Sequence, residues 1–466
     1  MMRNYLFGLL LALLTGAISV SLQAQEMKSA YFLKGYYYRH LMNPAFMAER
    51  AYFSMPAFGN VDVSANGNVG LSNFLYPYDD PLGKSKLTTF MHRSVNEQDF
   101  LQSLRSRNKI AANVDMALFS CGFKGLGGFN TIGIGMHSRN NVSAPYELFE
   151  FMKSSELGTG DRQSFLIEDF QMNTSNYVDV SFNHARAITD NLSIGATLKV
   201  LVGIAHVNTR FRDMRISMNE QEWLIHANGY LHASSKSATF RNNEKGEIEK
   251  LVLGSPGVSG MGLGLDLGVN WQISEDFSLS GAITDLGFIG WFNTLEGASG
   301  NEPYSFKGFE TIGVGSDSDY PTLDEQWDNL GTDLEEMIKI YDGGKIRKTT
   351  ALGATANIGG EYILPAYRNL SFGMLSSVHV HPYFTWAEAR ASVNIAPVRW
   401  FEATVSGAWS TYGPGFGFIM NFHPKGFNFF VGSDFMITRV TPQFIPVNNL
   451  NANVCMGINF AWGNRM

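Results

Sequence analysis

After its first 24 residues, the sequence lacks any apolar run long enough for a membrane-spanning helix. Such a helix needs about 20 consecutive apolar residues, and no stretch between Gln25 and Met466 approaches that length. Charge is also scarce, since only 17% of the residues are charged and the formal net charge is −7. These features exclude a helical membrane protein, and the acidic balance argues against nucleic-acid binding.

Cysteines and catalytic motifs are equally sparse. The two cysteines, Cys121 and Cys455, cannot build a disulfide framework and lie among the alternating residues of predicted strands. The sequence contains no G-x-S-x-G, P-loop, H-E-x-x-H or Cys-x-x-Cys motif. His379 and His381 lie two apart on one predicted strand, and we interpret them as lumen or interface histidines rather than metal ligands. We expect no enzymatic activity, no cofactor and no bound metal.

The N-terminus carries the features of a secretory signal peptide. Arg3 precedes an apolar run over residues 5–20, and Leu22-Gln23-Ala24 supplies a cleavage site of the A-x-A kind. Residues 1–24 are therefore predicted to be removed, and Gln25 is predicted to begin the mature chain. Because Gln25 is not a cysteine, a lipoprotein is disfavoured.

The most prominent feature that is present is an alternation of large apolar residues with small or polar ones. It runs through residues 454–462 and, over a longer stretch, through residues 261–273. Successive side chains of a strand point to opposite faces, and a transmembrane barrel strand turns one face to lipid and the other to the lumen. Gly262, Gly264 and Gly268 fall on the small-residue face of the longer run and indicate a crowded inner wall.

Short polar turns join the predicted strands into antiparallel hairpins, for example at residues 189–191 and 274–276. In the C-terminal third, candidate strands lie near residues 349–364, 370–380, 385–396, 400–409, 414–422, 427–437 and 451–462. An open sheet edge in lipid leaves backbone groups unpaired at several kcal/mol each, so such strands must close. The sequence predicts an all-β fold, a single transmembrane antiparallel β-barrel of about 14 strands, within a range of about 12 to 16.

Connection lengths predict how the barrel is oriented, because outer-membrane barrels have short periplasmic turns and longer external loops. After an N-terminal segment at residues 25–58, the predicted barrel covers residues 59–466, with its C-terminus in the periplasm. Long connections lie near residues 75–112, 139–176, 203–221 and 288–348. Residues 223–234 are open to two interpretations, a barrel hairpin or an extension of one above the membrane. Export and barrel together predict a monomeric protein in the lipid of a Gram-negative outer membrane.

Helical patterns interrupt the strands in the connections. Leu323, Trp327, Leu330 and Leu334 recur at spacings of three and four, which predicts an amphipathic helix of about 20 residues. Its functional interpretation is a lid over the barrel mouth, and its structural interpretation is a helix that packs loop residues together. Two shorter helical insertions are predicted near residues 96–105 and 145–153.

The N-terminal segment, residues 25–58, contains a short motif that resembles one found in known barrel proteins. There the triplet Asn43-Pro44-Ala45 stands shortly before the first strand of a barrel rich in glycine and aromatic residues. In this the chain resembles the FadL-type fatty-acid transporters and the related PorV-like barrels, and looks most like a Bacteroidetes outer-membrane family of that kind. The resemblance implies that Asn43, Pro44 and Ala45 enter or brace the barrel at its periplasmic side, in a segment that plugs the lumen. The residues alone predict a turn, since Asn tolerates turn geometry and Pro fixes φ.

Three functions are compatible with these observations, of which transport is the leading one, docking is the alternative and enzymatic activity is the minor alternative. The first is the transport of hydrophobic or small molecules through a gated lumen, as the FadL-type resemblance implies. The second is a PorV-like barrel that docks secreted or surface proteins. The third is an outer-membrane enzyme whose reactive groups meet only in space. Outer-membrane lipid is an expected partner in each case.

Overall fold

The computed structural model describes residues 27–79, 85–157, 164–218, 223–306, 325–326, 329, 337–382, 384–436 and 451–463. The predicted signal peptide lies outside these ranges, as do the predicted lid residues Leu323, Trp327, Leu330 and Leu334. Within the described ranges, no helix is long and apolar enough to cross a lipid bilayer.

The described chain consists mainly of antiparallel strands. In chain order they are β1 (Ala51–Ser54), β2 (Val61–Gly67), β3 (Leu75–Asp79), β4 (Ser85–Thr89), β5 (Arg107–Gly125), β6 (Gly128–Pro145), β7 (Ser164–Thr189), β8 (Leu192–Met218), β9 (Trp223–Ser235), β10 (Thr239–Asn242), β11 (Ile248–Val252), β12 (Gly260–Gln272), β13 (Phe277–Ser299), β14 (Tyr304–Phe306), β15 (Ile340–Ala351), β16 (Ala354–Ile363), β17 (Leu370–Val380), β18 (Trp386–Val398), β19 (Phe401–Ser410), β20 (Gly413–Phe422), β21 (Asn428–Ser433) and β22 (Asn451–Trp462).

Helical structure is confined to short pieces between the strands. These are the 3-10 turns Lys28–Ala30 and Leu71–Asn73 and the helices α1 (Arg39–Met42), α2 (Glu97–Gln102) and α3 (Tyr146–Leu157). Helices α2 and α3 confirm the two shorter helical insertions that the sequence predicts.

The strands close into a barrel with fourteen positions in its wall, which confirms the predicted fold class. Strands β1 and β2 share one position, because both pair with β5 on one side and β22 on the other. Strands β15 and β16 share another position, because both pair with β13. The pairing of the last strand with the first leaves the barrel wall without an open edge.

The outer face of the wall is apolar, as the alternation in the sequence predicts. On β12 the side chains of Met261, Leu263 and Leu267 are exposed, whereas Gly264 and Asp266 between them are buried. The last strand repeats this arrangement, with large apolar side chains outside and small or polar ones inside. Each wall strand therefore turns one apolar face outward and one mixed face into the lumen.

The barrel has two different ends. At the short-turn end the connections are brief, at residues 126–127, 190–191, 273–276, 364–369, 399–400 and 423–427. At the opposite, long-loop end, β5 to β9 and β13 continue past the wall and carry an apolar core of their own, which residues 69–76 and 87–104 and α3 help to cover.

This extension corrects part of the predicted loops. The predicted loop at 203–221 is mostly strand, since β8 runs to Met218, and the loop at 139–176 loses its ends to β6 and β7. In the same way β5 begins inside the predicted loop 75–112, while β13 and β15 take both ends of 288–348. The strands continue because their inward apolar side chains, such as Phe165, Ile167 and Phe211, are buried in the long-loop core. Strand β9 pairs with the upper parts of β8 and β13, so the interpretation of residues 223–234 as an extension is correct.

Whether the outer apolar face contacts lipid can be tested by introducing a charged side chain on it. Leu267 lies in the middle of β12 and Leu166 lies in the extension on β7, and both side chains are exposed, by 46% and 40%. In phospholipid vesicles, Leu267→Arg should lower the free energy of unfolding by about 2–4 kcal/mol, whereas the control Leu166→Arg should cost about 0–1 kcal/mol. Urea titration of both variants measures the difference, and equal small losses would contradict a lipid-facing wall.

Candidate functional site

The lumen is occupied by residues 27–50, which we call the lumen segment. The segment contains little regular structure and is held instead by its aromatic side chains, because Tyr31, Tyr36, Tyr37 and Tyr38 are each at most 3% exposed. Tyr37 stacks on a tyrosine of β1 with ring centroids 4.7 Å apart, and Tyr36 meets a phenylalanine of β21 edge-on at 4.9 Å. The run of tyrosines in the sequence is thus the core of the lumen.

One end of the segment is bound by a charged anchor, which consists of Lys28, Ser29, Glu388, Arg390 and Asp434. Lys28 Nζ lies 3.2 Å from Glu388 Oε2, and Arg390 Nε lies 2.9 Å from Glu388 Oε1. Asp434 accepts hydrogen bonds from the backbone N–H groups of Lys28 (2.7 Å) and Ser29 (2.8 Å) and pairs with Arg390 Nη1 at 3.2 Å.

All five residues of the charged anchor are buried. Because the charges neutralise one another away from water, removing one of them leaves a buried charge without its partner. Such a loss costs about 3–5 kcal/mol. The anchor therefore fixes the beginning of the lumen segment to β18 and to the residues after β21.

The Asn-Pro-Ala triplet lies against the opposite wall. Asn43 is fully buried, and its Nδ2 donates a hydrogen bond to the carbonyl oxygen of Val269 on β12 at 3.1 Å. Its Oδ1 accepts from the backbone N–H of Ala45 at 3.0 Å, which closes the turn. Asn183 on β7 donates to the carbonyl oxygen of Pro44 at 3.2 Å. The triplet thus forms a turn, as the residues alone predict, and it contacts the inner wall of the lumen.

Two glycines make room for this turn. Gly195 on β8 and Gly268 on β12 are direct cross-strand partners. A Cβ atom at position 195 would meet the carbonyl group of Pro44, and one at position 268 would meet Asn43 Oδ1. The small-residue face that the sequence indicates on β12 is therefore, at Gly268, the place where the lumen segment approaches the wall.

Further hydrogen bonds tie the segment to strands around the lumen. Tyr31 Oη lies 3.0 Å from the hydroxyl of Ser280 on β13, and Tyr38 donates to the side chain of Asn459 on β22 at 2.8 Å. The N–H of Gly35 donates to Glu402 on β19 at 2.8 Å. Burial lowers the pKa of the His40 imidazole to about 4, so this ring adds no charge to the segment at neutral pH.

The lumen segment separates two cavities. Toward the long-loop end lies the chamber, a cavity of about 100 Å³ that is lined by Lys28 and Met42 of the segment and by the wall. Toward the short-turn end lies the vestibule, a cavity of about 380 Å³ lined by Lys34 and Glu49 of the segment together with wall residues. A path along the lumen from one cavity to the other must pass the segment.

Asp115, Arg139 and Asp285 of the chamber lining belong to two groups of paired charges in the wall. His137 bridges two carboxylates, with Nδ1 2.5 Å from Asp115 and Nε2 2.7 Å from Asp179, and Arg139 also binds Asp115 at 2.7 Å. On the neighbouring strands, Lys199 Nζ lies between Asp266 (2.8 Å) and Asp285 (2.7 Å).

The predicted histidine pair also lies in this wall. His379 and His381 line the chamber with nearly parallel rings 6.1 Å apart, and His379 shares a hydrogen bond with Thr355. Among the described residues, no group of three or more His, Cys, Asp or Glu side chains could hold a metal ion.

The region of the predicted lid is represented by few described residues. Gln326 lies between the predicted lid residues Leu323 and Trp327 and is 3% exposed. Its Oε1 accepts hydrogen bonds from the hydroxyl (3.0 Å) and the following N–H (3.2 Å) of Thr88 and Thr89 on β4. This residue of the long connection thus packs onto the β3–β4 hairpin.

The glycine contact at β8 yields a test of the position of the lumen segment. Gly195→Ala should push the Pro44 carbonyl group away and cost about 1–3 kcal/mol, as overpacking does. We expect amide hydrogen exchange in residues 27–50 to become about tenfold faster or more. Gly407→Ala on β19 is the matched control, because a Cβ there has no described atom within 4 Å. Unchanged exchange in Gly195→Ala would show that the segment does not rest on this strand.

Comparison with known proteins adds a family. Residues 44–434 of the chain match the model of the Family of unknown function (DUF5723). No curated protein matches the sequence. The Bacteroidetes and PorV-like parts of the resemblance gain no support from the comparisons.

Among solved structures, similar barrels include the P. putida toluene transporter TodX, with 7% identity over 91% of this chain and 93% of that chain and a TM-score of 0.38. A Pseudomonas aeruginosa FadL homologue has 11% identity over 90% and 91% of the two chains and a TM-score of 0.35. At TM-scores below 0.5 this likeness assigns no substrate. The family model spans most of the chain, and the protein therefore belongs to the Family of unknown function (DUF5723).

Proposed function

We propose that the protein is an integral outer-membrane barrel that takes up a small molecule through its lumen, and that the lumen segment is the gate. The observation that supports this most directly is the pair of cavities on opposite sides of the segment. A closed wall with binding space on both sides of one partition is the arrangement that controlled passage requires.

The outer face of the wall supports the membrane location. Exposed large apolar side chains recur on successive strands, for example Met261 on β12, Met374 on β17 and Trp409 on β19. Soluble monomers rarely expose an apolar surface of that extent, and a closed barrel pairs the backbone groups that lipid cannot hydrogen-bond. By the usual pattern of connection lengths, the short-turn end faces the periplasm and the long-loop end faces the exterior.

The way in which the segment is held supports a gate. Within the described ranges, the segment is joined covalently to the wall where Arg50 leads into β1, and elsewhere it is held by hydrogen bonds, ring contacts and the charged anchor. Lys28 belongs both to the anchor and to the lining of the chamber. A solute that fills the chamber therefore lies beside the group that fixes the segment.

The residues that line the chamber indicate which kind of molecule it can hold. The apolar side chains of the long-loop end are packed into their own core. The chamber is lined by amides, hydroxyls and paired charges and, to a similar extent, by apolar and aromatic side chains such as Leu352, Phe384 and Trp386. The volume of about 100 Å³ restricts the chamber to small molecules. We infer a non-enzymatic role, because His137 is engaged on both ring nitrogens by carboxylates rather than by a nucleophile.

A substitution that removes the Lys28–Glu388 ion pair tests whether the lumen segment acts as a gate. Lys28→Met should leave Glu388 and Arg390 paired and keep the backbone hydrogen bonds to Asp434, but it removes the Lys28–Glu388 ion pair and so weakens the hold on the start of the segment. Lys34→Met is the control because Lys34 is an exposed lysine on the same segment. In planar lipid bilayers, Lys28→Met should open at least about tenfold more often than the unaltered protein, since about 1.4 kcal/mol corresponds to a factor of ten.

Deleting residues 27–42 provides a second test of the gate, which does not depend on a single ion pair. This variant should conduct continuously if it folds, which heat-dependent gel mobility and circular dichroism can establish. A folded deletion variant that passes neither ions nor small solutes would overturn the uptake proposal.

A further inference from the structure

We infer that the outer entrance of the chamber attracts small anions, such as short carboxylates, and that Lys109 and Lys348 are the residues that attract them. This inference rests on the proposed uptake function and names the charge of its substrate. It is carried by the position of the two lysines just beyond the chamber, by the lack of a carboxylate partner for either lysine among the described residues, and by the balanced charges of the chamber lining.

The two lysines lie on different walls of the lumen, each one step beyond a residue that lines the chamber. On β5, Ala111 lines the chamber, and Lys109 is the next residue of the same face toward the long-loop end. On β15, Thr350 lines the chamber, and Lys348 is the next residue of that face. Residues two apart share a face of a strand, and the pairing of both strands is regular at these positions. A solute from the exterior therefore meets the lysines before it reaches the chamber.

Both ammonium groups lie near aromatic rings rather than carboxylates. Lys109 Nζ lies 5.5 Å from the ring centroid of Phe384, which lines the chamber, so this side chain points into the lumen. Lys348 Nζ lies 5.8 Å from the ring centroid of Tyr230. Both lysines are half-buried, and neither forms an ion pair within the described part of the chain. Glu296 on the neighbouring β13 contacts a histidine of β9 instead, at 3.3 Å. A ring attracts a cation but does not neutralise its charge.

A group farther out on the same wall adds to the positive charge. Arg107 is two residues beyond Lys109 on β5, and its guanidinium lies 3.3 Å from the carboxylate of Asp169 on β7. Arg210 on β8 binds the same carboxylate at 2.7 Å. Two guanidinium groups thus share one carboxylate, which leaves one positive charge in excess beside Lys109.

The charges that line the chamber itself are balanced. Among the described residues of the lining, Asp115 and Asp285 are acidic and Lys28 and Arg139 are basic. Asp115 binds Arg139 at 2.7 Å, Asp285 binds a lysine of β8 at 2.7 Å, and Lys28 is held by Glu388 at 3.2 Å. Breaking such pairs is costly, so they offer little charge to a solute. The excess charge lies at the outer entrance and is positive, and a cleft with charge of one sign concentrates ions of the other sign.

The test compares two thiol reagents of nearly equal size, iodoacetate, which is anionic, and iodoacetamide, which is neutral. Ser175→Cys places a single cysteine in the chamber, with Cys121 and Cys455 replaced by alanine, because Ser175 lines the chamber and is half-buried. Lys28 and the other charged residues stay in place, so the anchor remains intact. The ratio of the two rates in the folded protein is divided by their ratio in urea, which removes the intrinsic difference in reactivity.

We expect this normalised ratio to be at least about five at roughly 0.01 M salt, since charged clefts raise on-rates by about tenfold or more. It should fall toward one at about 1 M salt, where the Debye length shrinks from roughly 30 Å to roughly 3 Å. Lys109→Met and Lys348→Met should each lower the ratio about twofold or more, whereas Lys109→Arg should retain it. Lys124→Met is the matched control, because Lys124 is exposed on the same strand at the short-turn end.

The outcomes separate this inference from the proposed uptake. If the normalised ratio is one at low salt, or if both methionine variants leave it unchanged, the preference for anions is wrong and uptake stands. If neither reagent modifies Ser175→Cys in the folded protein although both do so in urea, the chamber is not reached from the exterior, and uptake through it is wrong. A ratio that depends on both lysines supports the two proposals together.

Discussion

The contact between the Asn43-Pro44 turn and the glycine pair Gly195 and Gly268 determines where the lumen segment lies. Side chains at these glycines would occupy the space that the turn fills. Asn43 also binds the backbone of β12 through its amide. Because this contact lies nearer the short-turn end and the charged anchor lies on the opposite wall, the segment has to cross the lumen between them. The chamber and the vestibule exist because of that crossing.

The charged anchor and the Asn43-Pro44 turn hold the lumen segment through different kinds of interaction. The turn is held by shape and by hydrogen bonds to backbone oxygens, which no change of charge removes. The anchor is a set of buried charges that are stable only while all of them are paired. A disturbance near Lys28 can therefore release one end of the segment while the turn retains the other. This difference gives the proposed gate a fixed side and a movable side.

Much of the fold could be predicted from the sequence because a barrel strand has a local signature. The alternation through residues 261–273 and 454–462 is visible without knowledge of any partner strand, and closure follows from the need to pair every edge in lipid. Within the long-loop extension, the sequence predicts an extension only as one interpretation of residues 223–234. It predicts loops in the upper parts of the other strands, where the pairing is irregular, for instance between Asn176 and Tyr177 on β7. There the strands bury their inward face in protein rather than in a lumen.

The candidate site was predictable only in part. The turn at Asn43-Pro44 has a local cause in the two residues themselves, but the anchor joins Lys28 to Glu388, which lies 360 residues away. No spacing in the sequence indicates such a pair. The same holds for the chamber, since Asn66, Asn113 and Phe384 come together only when the barrel closes.

The most direct measurement of the central claim, that residues 27–50 partition the lumen, is the accessibility of single cysteines in the folded protein. With Cys121 and Cys455 replaced by alanine, cysteine is introduced at Ala30, which is 0% exposed, or at Lys34, which is exposed toward the vestibule. In bilayers, a water-soluble maleimide should label Lys34→Cys readily and Ala30→Cys at least about a hundredfold more slowly, with equal rates in urea. Equal, rapid labelling of both cysteines in the folded protein would contradict a segment packed across the lumen.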